Sequence, residues 1–129
     1  MSYDLNSQGD DSYSIKVPRE DISNYISQLP DIEPNGPCGF ILKRGESVYM
    51  EIDLTLVNEE GDTIEDYQNL SPEINCINFH IPYAFADSLE PYFQVALQIS
   101  DRVGWILYDL QTDRQIKELK AKKPWWKFW

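Results

Sequence analysis

The stretch VYMEIDLTL, residues 48–56, sets Val48, Met50, Ile52, Leu54 and Leu56 against Tyr49, Glu51, Asp53 and Thr55 in unbroken alternation. A period of two sends successive side chains to opposite faces of a sheet, so this segment predicts a strand with one buried row and one polar row. A chain that carries it must build a sheet covered on one side. The preceding GFILKRGES supplies a partner strand and a turn at Arg44 to Glu46. In INCINFHI the same pattern returns: Ile77, Phe79 and Ile81 share one face and leave Asn78 and His80 on the other.

Two helices supply the cover. In PREDISNYISQLP the apolar residues Ile22, Tyr25, Ile26 and Leu29 fall at i, i+3, i+4 and i+7, one helical stripe bracketed by Pro18 and Pro30. DSLEPYFQVALQISDRVG places Leu89, Tyr92, Phe93, Ala96, Leu97 and Val103 on one side, with Asp87 or Ser88 as N-cap and Gly104 as the stop. Pro91 sits in the first turn, where no intrahelical hydrogen bond is lost. SYSIKV reads as a short first strand, WILYDL as a strand, QTDR as a turn leading to QIKEL, and DIEPNGPCG as a loop. The resulting order β-α-β-β-β-α-β predicts an α+β two-layer sandwich, a mostly antiparallel sheet with two helices on one face, ferredoxin-like or related. The domain reading is a flexible acidic lead-in over 1–11, a single α+β domain over 12–119, and a basic aromatic C-terminal tail over 120–129.

Hydrophobic residues make up 42% of the chain, too many for a disordered polymer, and no run approaches the length of a membrane span. The start, MSYDLNSQGDDSYS, lacks the basic and apolar regions of a secretory signal, which gives a cytoplasmic expectation. Cys38 and Cys76 are far apart and form no CxxC pair, so both read as plain buried thiols. Charge is uneven. Residues 117–129 carry net +4, while residues 1–116 carry net −15. Such a body repels nucleic-acid phosphates, whose recognition draws on lysine and arginine, and favours a basic protein as partner.

Three places carry candidate chemistry. Glu51 and Asp53 lie two apart on a strand and point the same way, with His80 expected on the corresponding face nearby. Their convergence would serve a metal ion or a general acid–base pair, which defines the alternative of a small metal-binding protein or hydrolase. Residues 58–73 hold six acids and no base, and from these Glu59, Glu60, Asp62, Glu65 and Asp66 are the candidate partner-binding residues. Read from Asp62 as a calcium loop, the segment fails, because Ile64 and Tyr67 stand where an acid and a glycine are required. Trp125, Trp126, Phe128 and Trp129 are expected to dock the tail against the acidic body or across a homodimer, not in a membrane. No GxGxxG, GxxxxGK[ST], GxSxG or HExxH occurs and His80 is the single histidine, so neither a catalytic residue nor a cofactor is expected.

The stretches IPYAF and GWILYDLQTD are similar to segments of small bacterial proteins, some of them associated with toxin-immunity gene neighbourhoods. The resemblance covers the second half of the chain and carries over no functional residue. It implies a bacterial cytoplasmic protein that binds and neutralises another protein. The expectation is therefore a non-enzymatic protein-binding domain, an immunity or inhibitor protein for a cationic toxin or effector. A structural homodimer component is the further alternative.

Overall fold

The computed structural model describes residues 2–66 and 68–116. Its elements are β1 (Ser2–Gln8), β2 (Val17–Pro18), α1 (Arg19–Ser27), β3 (Ile32–Asn35), β4 (Gly39–Arg44), β5 (Val48–Thr55), β6 (Glu73–Ile74), β7 (Cys76–Pro82), a 3-10 turn (Tyr83–Phe85), α2 (Glu90–Val103), β8 (Ile106–Asp109) and β9 (Arg114–Ile116). Seven strands form one sheet in the order β3-β4-β5-β7-β1-β8-β9, every neighbouring pair antiparallel. The four central strands run β8-β1-β7-β5, with α1 in the connection from β1 towards β5 and α2 between β7 and β8. That is the connectivity of a ferredoxin-like α+β sandwich, widened by the β3–β4 hairpin on one edge and β9 on the other.

One core holds the layers together. Ile22 and Ile26 of α1 and Tyr92, Phe93, Val95, Ala96, Leu97 and Ile99 of α2 belong to the same buried cluster as Leu5, Leu42, Met50, Ile52, Ile77, Phe79 and Ile81 from the sheet. The helices touch one another where the Arg102 guanidinium stacks 5.1 Å from the centre of the Tyr25 ring. Gly104 ends α2 at φ 73, the left-handed conformation the sequence anticipates there, whereas Leu89 is the N-cap and makes no side-chain cap. Among the described residues no helix is long and apolar enough to cross a membrane.

The sequence reading needs correction at three segments. Residues 1–11 are not a flexible lead-in: Ser2–Gln8 is β1, paired on both sides with β7 and β8 at the centre of the sheet. Its core-facing row is Tyr3, Leu5 and Ser7, a single aliphatic residue among polar ones, which hides the alternation. Ser7 is fully buried yet satisfied, because Ser100 Oγ donates to its hydroxyl at 2.8 Å. The loop expected over DIEPNGPCG contains β3, and Pro34 is tolerated because β3 is an edge strand. The strand expected over SYSIKV shrinks to Val17–Pro18, after an irregular passage in which Tyr13 takes φ 58.

Candidate functional site

Both helices pack on one face, so the other face of the sheet is left to its polar rows. Cross-strand register aligns two of them. One runs Glu33, Ile41, Glu51, His80 and Asp4 across β3, β4, β5, β7 and β1. The next runs Asn35, Gly39, Asp53, Asn78, Asn6, Tyr108 and Gln115 across all seven strands. Directly opposed residues on neighbouring strands have Cβ atoms about 4.5–5.5 Å apart, close enough to act as one surface.

The rows build two adjoining clefts. Asp4, Glu51, Asp53, Asn78, His80 and Leu110 line a cleft of about 280 Å³. Cys38, Asp53, Thr55, Asp66, Leu70 and Asn78 line a second of about 370 Å³. Asp53 and Asn78 belong to both and form their common wall.

Within the clefts the carboxylates differ. Asp4 accepts from or pairs with His80 Nδ1 at 2.8 Å, with both side chains well exposed, 39% and 45%. Asp53 has no hydrogen-bond donor among the described residues. Burial, and then the like charge of Glu51, raise its carboxyl above the ordinary range, and His80 offsets part of this. Gly39 makes its position possible: a Cβ there would stand 2.8 Å from Asp53 Oδ1. Asn78 is held from the neighbouring strand, since its Oδ1 accepts from Asn6 Nδ2 at 2.9 Å, and Asn6 also donates to Cys76 Sγ at 2.9 Å. Burial pushes the Cys76 thiol up to about 11, and burial and then Asp53 raise the Cys38 thiol, so neither is a ready thiolate nucleophile.

Glu51, Asp53 and His80 thus share one cleft, as the register would allow. Among the described residues, however, no three His, Cys, Asp or Glu side chains are grouped to hold a metal ion. Among the described residues the hydrogen-bond partner of His80 is Asp4, and no hydroxyl or thiol is bonded to its ring. Asp4 escaped the sequence reading because β1 did. Only its place opposite His80 reveals it.

The acidic segment 58–73 divides in two. Glu65 is corrected from a recognition residue to a structural one. Its side chain is 6% exposed, accepts two bonds from Arg19 Nη2 at 2.5 and 2.6 Å, and accepts the backbone N–H groups of Leu56 at 3.1 Å and Ser71 at 2.8 Å. Arg19 completes the knot by donating to the carbonyls of Ser71 and Leu54. Asp66 is exposed but its Oδ1 accepts the N–H groups of Gln68 and Asn69, closing a turn. Glu59, Glu60 and Asp62 are exposed, and their side chains have no partner among the described residues. Trp125, Trp126, Phe128 and Trp129 lie outside the described residues.

No family model matches the chain, and neither a curated protein nor a solved structure matches it.

Proposed function

We propose that the chain is a non-enzymatic protein-binding domain that takes a basic protein segment on the open face of its sheet. The observation that supports this reading is Asp53. A carboxylate held half-buried beside a second carboxylate, with its pKa raised and no donor of its own, is a cost to the fold. A lysine or arginine from a partner would relieve it. Asp4 and Glu51 line the same cleft and add negative charge beside it, Glu33 lies further along the Glu51 row, and Glu59, Glu60 and Asp62 are exposed on the loop after β5. Such a field speeds encounter with a basic surface, while the buried carboxylate gives the contact its register.

The concrete version of this reading is neutralisation of a cationic bacterial toxin or effector in the cytoplasm, in keeping with the resemblance of IPYAF and GWILYDLQTD. The test is a titration of the intact chain with an oligolysine of about ten residues, followed by backbone-amide NMR. The amides of Asp4, Glu51, Asp53, Asn78 and His80 are expected to shift together, and the Glu51→Lys, Asp53→Lys double variant to lose the response. Shifts confined to the helical side, or an unchanged response in the double variant, would refute the reading.

A further inference from the structure

We propose that the chain's own segment 120–129 docks on this open face as an internal ligand, so that a basic partner must displace it. The inference rests on the reading that the face takes basic partners, and it adds a regulatory element in the same chain. Three observations carry it.

The first is the point of exit. Ile116, the last residue of β9, is level with Leu107, Ser7, Ile77 and Leu54 across the sheet. The chain therefore leaves the sheet at the end where Leu54, Thr55 and Asn78 form the larger cleft. From β9 to β5 is four strand spacings, about 19 Å at 4.8 Å each. Residues 117–129 reach about 43 Å when extended, so the span is well within their length.

The second is complementary charge. The segment carries Lys120, Lys122, Lys123 and Lys127, while the face carries Asp4, Glu51 and Asp53, with Asp11 beside Tyr108. The third is the apolar content of the face. Leu110 is 52% exposed at the mouth of the smaller cleft, and Tyr108 and Ile41 lie in the same two rows. Carboxylates interleaved with apolar and aromatic side chains fit a ligand that is both basic and aromatic. Trp125, Trp126, Phe128 and Trp129 among lysines have that composition. Exposed ion pairs alone hold weakly and are screened by salt, so the rings supply the hold and the lysines the direction. A tethered ligand acts at an effective concentration of order 1 mM. If its intrinsic Kd is of order 0.1 mM, it lowers the apparent affinity of any competitor about tenfold.

The experiment uses full-length chains and a synthetic peptide of residues 117–129 as probe. It compares the parent with a variant carrying Trp125→Ser, Trp126→Ser, Phe128→Ser and Trp129→Ser. The variant is expected to bind the added peptide about tenfold more tightly than the parent, and adding Glu51→Lys and Asp53→Lys to it should abolish that binding. Equal peptide binding by parent and variant would overturn the proposal. So would no peptide binding by either while oligolysine still perturbs the open face, an outcome that leaves the partner reading standing. If neither probe perturbs the face, that underlying reading falls as well. Sedimentation of both proteins covers the remaining occupant: a parent dimer that becomes monomeric in the variant would place the segment on a second copy and overturn docking within one chain.

Discussion

Among single residues, acids of one sequence type take opposite roles. Glu65 and its cation Arg19 are both buried, with side chains 6% and 11% exposed. Removing one partner strands the other. Arg19→Ala is expected to cost about 3–5 kcal/mol, whereas Glu59→Lys, Glu60→Lys and Asp62→Lys should each stay within about 0.5 kcal/mol. Denaturant midpoints of the four variants check this. Asp53 behaves differently again, because its carboxyl is raised by burial and by Glu51. A carboxyl whose pKa is higher in the folded state than in the unfolded one binds its proton more tightly when folded. Native stability therefore falls as pH rises from the unfolded value through the folded one. Asp53→Asn removes that loss. The variant should be more stable than the parent at pH 7, and the advantage should vanish by about pH 3 on denaturation at both pH values. A stabilising substitution that also weakens oligolysine binding would mark Asp53 as kept for contact at the expense of the fold.

At the level of elements, the test case is β1. Leu5 is fully buried between β7 and β8, so Leu5→Ala should cost about 2–5 kcal/mol, a loss no flexible lead-in would show. Tyr3 gives a second readout. Burial, and then its hydrogen bond to Asp109, push the phenol up to about 12. An acid raised in this way makes the native state keep a proton that the unfolded chain releases, so stability should fall as pH climbs above about 10. Tyr3→Phe should flatten that decline, as measured by denaturation between about pH 9 and 11. The legibility of each element follows its apolar content. β5 and β7 were readable because Met50, Ile52 and Leu54, and Ile77, Phe79 and Ile81, repeat at every second position. β1 offers Tyr3, Leu5 and Ser7, and its burial is decided by neighbours that come some 70 and 100 residues later. β3 was hidden by Pro34, which excludes a central strand but not an edge. The polar row of β5 and β7 was legible as a candidate site. Asp4 was not, nor was the inward turn of Glu65, since both depend on pairing across distant segments.

On the scale of the whole molecule, charge and architecture point the same way. The helices seal one side of a seven-stranded sheet, and the acids that sequence alternation turns outward from it collect on the other. With net charge −11 the chain should associate with a cationic ligand at a rate that depends steeply on salt. Stopped-flow rates measured with oligolysine at about 0.02 and 0.2 M salt should differ by about tenfold or more for the parent, and by clearly less for Glu51→Lys, Asp53→Lys. That comparison reports on the field as a whole, to which the exposed loop acids also contribute. The face itself is tested most directly by the amide map of the intact chain with oligolysine. The account predicts that the largest shifts fall on Asp4, Glu51, Asp53, Asn78 and His80 and disappear in the double variant. Shifts that instead centre on α1 and α2, or that persist undiminished after both charges are reversed, would contradict it.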